Sequence, residues 1–168
     1  MTKRILNVGC GFDMYGTDRI DFKKTPATTK VCDIENGFPY KDETFEEIRA
    51  VFVFEHFRNL GFFIDECYRV LKKGGKIEII TDHAGFIVFH STMEHTKYLD
   101  TRTGYQRHED DFHYALFVPS HLKSYLRQFS EVKAGFSDPP GRVWYKRIIL
   151  KLLPFNMGKE RVWAIGIK

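Results

Sequence analysis

Ile5-Leu6-Asn7-Val8-Gly9-Cys10-Gly11 is the stretch on which the fold turns. A short strand-like run ends in two glycines spaced by one residue. That is how a strand delivers its chain into a tight bend, where backbone can approach a ligand closely. By itself the motif serves two ends. It opens the dinucleotide-binding fingerprint, and equally many strand-to-loop turns hold glycine for sterics alone.

Outward from this bend, Arg19–Phe22 reads as a second strand, Thr29–Cys32 as a third and Phe45–Val51 as a fourth. Residues 59–73 predict a helix with Leu60, Phe63, Ile64, Cys67, Val70 and Leu71 on one face. Lys72-Lys73 and Gly74-Gly75 suit its end. Residues 76–81 predict a fifth strand. Pro119 and Ser120 open a helix running through Phe129, Val132–Phe136 is a strand candidate, and Arg161–Ile167 is a closing strand. Strands alternating with crossovers imply an α/β fold, doubly wound on a mostly parallel sheet. Ligands of such sheets lie beyond the carboxyl ends of the strands. Gly9, Asp21, Asp33, Ala50 and Asp82 all fall at those ends.

A carboxylate at the tip of the second strand, Asp21, can accept from both hydroxyls of a ribose, or it can cap a turn. Asp33 can accept from an exocyclic amine, or cap the turn that follows. Gly9 and Asp21 stand 12 residues apart, against roughly 20 in the dinucleotide fold, so the first crossover helix is a turn or two at most. Met14 occupies the third glycine position of GxGxxG, which argues against a nicotinamide-dependent oxidoreductase.

Taken in order, these segments resemble the class I S-adenosylmethionine-dependent methyltransferases, in their compact, type-11-like form. Leu6–Gly11 is similar to that family's first motif, Asp21 to its ribose-binding acid, and Cys32-Asp33-Ile34 to its adenine-contacting segment. Residues 38–48 resemble its proline-aromatic loop and Phe-acid fourth strand, and Phe54-Glu55-His56-Phe57 the segment that follows. Glu66–Lys76 resembles its helix-to-strand turn. The resemblance covers residues 5 to about 82. It implies a Rossmann-like, seven-stranded sheet with one antiparallel strand and a shortened first helix. It also implies S-adenosylmethionine as cofactor, with Val8, Gly9, Cys10 and Gly11 along its amino-acid part. Asp21, Asp33 and Ile34 would lie on its adenosine, and Ala50 and Phe52 near its methionine portion.

Composition fits one domain over residues 1–168: 43% hydrophobic, 29% charged, 16 phenylalanines, net charge +4. Residues 1–82 read as a cofactor-binding half, 83–118 as an inserted lid or substrate segment, and 119–168 as a substrate-side half. No apolar run approaches the ~18 residues of a membrane span, and the N-terminus lacks the apolar core of a secretory signal. Three scattered cysteines without a CxxC pair suit a reducing compartment, so a cytoplasmic location is expected. Residues 114–168 carry ten basic against three acidic side chains. No RNA-binding module is recognisable, which argues against nucleic acid as partner. The amphipathic stretch 144–153 can rest on a membrane surface or pack on its own domain.

Methyl transfer needs a nucleophile aimed at carbon, and a base only where that nucleophile must lose a proton. His56, past the fourth strand, is the first candidate, followed by Asp82 and His83 past the fifth. His83, His90, His95, His108 and His113 cluster in 82–118 without tight ligand spacing, so no metal is expected and a polar lid is the reading. The acceptor would be a small molecule or a glycan- or lipid-type substrate. A non-catalytic binding or interaction subunit on the same fold is the alternative.

Overall fold

A computed structural model describes residues 3–85, 99–100, 105–106, 113–138, 156–157 and 159–168. Strands β1 (Ile5–Val8), β2 (Asp18–Asp21), β3 (Lys30–Val31), β4 (Phe45–Val51) and β5 (Leu71–Asp82) are followed by β8 (Ser130–Ser137) and β9 (Arg161–Ile167). These seven form one sheet in the order β3-β2-β1-β4-β5-β9-β8. The first five are parallel, and β9 runs antiparallel to both neighbours. A separate two-stranded ladder pairs β6 (Leu99–Asp100) with β7 (Tyr105–Gln106). The sheet is therefore the mixed, seven-stranded one that the resemblance implies.

Register explains the core. Leu6 pairs with Ile48 and Ile48 with Ile77, while Val8 pairs with Ala50, Ala50 with Ile79 and Ile79 with Ala164. All of these side chains are fully buried. They make one apolar face, because alternate strand residues point the same way. Helices α1 (Leu60–Val70) and α2 (Pro119–Tyr125) contact each other and share this core through Phe63, Ile64, Cys67, Val70 and Leu122. The opposite face is charged over β4 and β5: Glu47 lies beside Lys76, and Arg49 beside Glu78. No helix connects β1 to β2. The loop lies on the charged face instead, with Tyr15 donating to Glu47 at 2.7 Å and Asp13 paired to Arg49 at 2.9 Å.

Two helix boundaries differ from expectation. The first helix ends at Val70, not at the glycines. Its last carbonyls are taken by the chain entering β4, where Glu43 N–H donates to Arg69 and Thr44 N–H to Val70. Gly74 and Gly75 instead lie within β5, where the Gly74 N–H donates to the Lys168 carbonyl and the Lys168 N–H to the Gly75 carbonyl. The second helix stops at Tyr125, and the chain then turns to lay Phe129 on Gly166. A Cβ on that glycine would come within 2.9 Å of the Phe129 Cβ. No helix among the described residues is long and apolar enough to cross a membrane.

Candidate functional site

Three adjacent strand tips meet at the glycine bend. Gly9 and Cys10 N–H groups both donate to the Ile20 carbonyl, at 2.9 and 3.1 Å, folding the bend across β2. Gly9 and Gly11 take φ of 63° and 51°, the left-handed region open to glycine. The Gly11 N–H donates to one oxygen of Asp21 at 2.8 Å, and the Lys23 N–H to the other at 3.0 Å. A carboxylate accepts about four hydrogen bonds. These two account for half of that capacity in a side chain only 8% exposed. A Cβ on Gly11 would meet nothing within 4 Å, so the bend faces open space. Phe12 (52% exposed) and Phe22 (60% exposed) directly follow Gly11 and Asp21, apolar rings flanking two polar anchors.

The remaining residues expected at this end divide by orientation. Val8 and Ala50 are fully buried, and Ile34 and Cys10 nearly so, so their side chains build the tips from behind. Burial pushes the Cys10 thiol up, against a Thr28 hydrogen bond that pulls it down, which keeps it neutral. Asp33 caps a short 3-10 turn, Ile34–Asn36, accepting from Glu35 N–H at 3.0 Å and Asn36 Nδ2 at 2.8 Å. That is the turn-capping alternative realised, and it leaves this exposed carboxylate with acceptor capacity to spare.

At the tip of β4, Phe52 has φ 52°, a conformation that a non-glycine residue adopts only where its surroundings impose it. Its N–H is held by the Ile80 carbonyl at 2.8 Å, and the Arg161 guanidinium sits 4.7 Å from its ring centroid. A second 3-10 turn, Phe54–His56, follows. Here the structure gathers a polar group that spacing did not reveal. Donor atoms of Glu55, His56 and His113 all lie within 4.8 Å of one another. The His56 and His113 rings meet edge to face at 4.6 Å. Asp82 comes within 3.7 Å of His113 Nδ1, and the Thr81 hydroxyl donates to Glu55 at 2.8 Å.

His56 and Asp82 therefore converge, through His113. His83 is placed elsewhere. It is buried, its ring nitrogen Nδ1 donates to the Lys159 carbonyl at 2.8 Å, and it packs against Phe136. Glu55 and His113 lie 58 residues apart and carry no joint signal in the sequence; a backbone bond brings their segments together, the Tyr114 N–H donating to the Glu55 carbonyl at 2.8 Å. His90, His95 and His108, most of the expected lid and the stretch 144–153 lie outside the described residues.

Residues 6–79 match the family model described as a methyltransferase domain. A 52-residue stretch is 42% identical to the mitochondrial ubiquinone biosynthesis O-methyltransferase of Rattus norvegicus. That match covers 31% of this chain and 15% of the rat protein. Among solved structures, an S-adenosylmethionine-dependent methyltransferase from Archaeoglobus fulgidus superposes with a TM-score of 0.68 at 18% identity, covering 99% of this chain and 86% of that one. Phosphoethanolamine N-methyltransferase 2 of Haemonchus contortus, solved with S-adenosyl-L-methionine, gives 0.65 at 14% identity, covering all of this chain and 49% of that one. The fold is that of the S-adenosylmethionine-dependent methyltransferases.

Proposed function

From a chain whose residues 6–79 belong to the methyltransferase-domain family, we propose that this protein transfers a methyl group from S-adenosylmethionine to a small-molecule or glycan- or lipid-type acceptor. One observation carries the reading. The Gly9–Gly11 bend is tied by the Gly11 amide to the Asp21 carboxylate, at neighbouring strand tips facing open space.

The residues present fit the cofactor. Asp21 keeps two acceptor positions for a ribose diol after serving two amides. Phe22 and Phe12 offer faces for an adenine and a methylene chain. Asp33, one residue beyond Cys32, whose N–H bonds the Asp21 carbonyl, can accept from an exocyclic amine. When bound, S-adenosylmethionine supplies an electrophilic methyl on sulfur and leaves as a neutral thioether, so the leaving group needs no acid.

The chain's work is then alignment and, for a protic acceptor, removal of a proton. Holding the nucleophile against the methyl is worth roughly 7–11 kcal/mol. The turn after the strained tip at Phe52 carries His56, whose ring meets His113, and His113 lies 3.7 Å from Asp82 at the end of β5. An imidazole there is suited to taking a hydroxyl proton near neutrality. The short stretch shared with a protein named as an O-methyltransferase supports an oxygen acceptor.

Calorimetric titration with S-adenosylhomocysteine and with NAD tests the cofactor. Micromolar binding of the first, lost in Asp21→Ala, is expected; binding of NAD alone would sink the proposal. Transfer of a labelled methyl to hydroxylated acceptors tests the reaction, and a folded protein that binds cofactor yet never turns over would favour the non-catalytic alternative.

A further inference from the structure

We infer that Glu55, His56 and His113 form a binding site for a divalent transition-metal ion of the zinc class, at the acceptor end of the sheet. Two imidazoles and one carboxylate are the donor set of an open zinc site, which holds three protein ligands and leaves a fourth position for water or substrate. The three come from two segments that the fold locks together. Glu55 and His56 sit on the turn after β4, and His113 arrives on the chain pinned to that turn by the Tyr114–Glu55 backbone bond of 2.8 Å. A tetrahedral zinc spaces its ligand atoms about 3.3 Å apart, from bonds of about 2.0–2.1 Å. The three ligand atoms lie within 4.8 Å of one another, so an ion would draw them together by about 1.5 Å.

Proximity alone would be thin support. The stronger point is that groups of the kind that partner metal ligands stand beside two of the three, one of them hydrogen-bonded. A ligating histidine turns its other ring nitrogen toward a carboxylate, and a ligating carboxylate is itself hydrogen-bonded. Asp82 Oδ2 stands 3.7 Å from His113 Nδ1. Thr81 Oγ donates to Glu55 Oε2 at 2.8 Å. Adjacent residues at the tip of β5 thus orient ligands from two different segments. Glu55 is 1% exposed, and a buried carboxylate requires paired or metal-bound surroundings.

The inference deepens the proposed function, resting on it only for purpose. An ion here would take the acceptor's hydroxyl oxygen in its open position. His56 would then serve as a ligand in place of a base, and the hydroxyl would lose its proton to solvent more readily, leaving an oxyanion to attack the methyl carbon. Binding of the ion itself needs neither cofactor nor acceptor.

The test is titration of chelator-treated full-length protein with Zn²⁺ by calorimetry, and with Co²⁺ by visible absorption. One equivalent at micromolar affinity or tighter is expected, with Co²⁺ giving the intense bands of a four- or five-coordinate site. Glu55→Gln and His113→Ala should each abolish saturable binding. Asp82→Asn should weaken it 10–100-fold, as loss of an outer partner does. S-adenosylhomocysteine affinity, measured in chelator, checks that each variant is folded and isolates failure of this inference from failure of the functional reading. A stoichiometry well below one, binding that survives His113→Ala, or octahedral Co²⁺ spectra typical of surface carboxylates would overturn it.

Discussion

Gly9 and Val53 occupy each other's space: a Cβ built on Gly9 would lie 2.2 Å from Val53 Cγ2. The bend after β1 and the chain leaving β4 are thus packed backbone to side chain. Gly9→Ala adds this overlap to the strain of a positive φ, and should cost about 2–4 kcal/mol of stability. Denaturant unfolding measures it. Gly9→Ala/Val53→Ala should be more stable than Gly9→Ala alone, the non-additivity expected of residues in contact.

Asp21 anchors the loop and is offered to the cofactor, so its two roles should separate by substitution. Asp21→Asn keeps the shape but loses charge and acceptor capacity. S-adenosylhomocysteine affinity should fall about 10–100-fold, equivalent to charged hydrogen bonds of about 1.5–3 kcal/mol. A loss below threefold in calorimetry would remove the carboxylate from the binding site.

Phe22 is exposed in the free protein and should be covered in the complex. Phe22→Ala should leave the unfolding midpoint nearly unchanged, as exposed substitutions do. It should weaken S-adenosylhomocysteine about 3–10-fold through lost aromatic contact. Fluorescence or calorimetric titration reads the second effect.

His56 should matter to turnover and not to cofactor affinity. His56→Ala is expected to lower kcat by about 10²–10⁴ once an acceptor is in hand, with S-adenosylhomocysteine binding held within threefold. Equal turnover would exclude it from proton removal and from acceptor positioning.

Arg69 ties α1 to the loop before β4, bonding the Phe38 and Tyr40 carbonyls, Asp42 and both oxygens of Glu66. Its hydrogen bonds hold the Glu66 carboxyl below the ordinary carboxylate value, aided by the Phe38 N–H and opposed by burial. A carboxyl with a depressed native pKa binds fewer protons folded than unfolded. Its stabilisation is therefore full above about pH 4.5 and disappears as pH falls through the native value. Wild type should exceed Glu66→Gln in melting temperature at pH 7, and the gap should narrow steadily below pH 4.5. A gap constant from pH 7 to 3 would contradict this.

What the sequence made readable follows from which signals are local. β4 and β9 have the expected bounds, since alternation and turn residues mark them in place. Gly9, Asp21 and Asp33 stand at adjacent tips because parallel strands bring their carboxyl ends together whatever the loop lengths. The end of α1 departs from expectation because its last carbonyls are satisfied by Glu43 and Thr44, distant in sequence, and the chain enters β5 at Leu71, ahead of Gly74 and Gly75. His83 looked equivalent to Asp82, yet strand alternation sends neighbours to opposite sides, and His83 is claimed by Lys159. The pairing of His56 with His113 carries no spacing signal, being created by a returning chain.

The last strand in the sequence is not the last in the sheet. β9 lies between β5 and β8, so β8 has no place to attach until residues 161–167 exist. During synthesis the first five strands can assemble in order as they leave the ribosome, while Ser130–Ser137 must wait, unpaired, for a segment more than twenty residues downstream. Truncation before Arg161 should therefore expose two strand edges at once, and a nascent chain paused there is the one most in need of a chaperone.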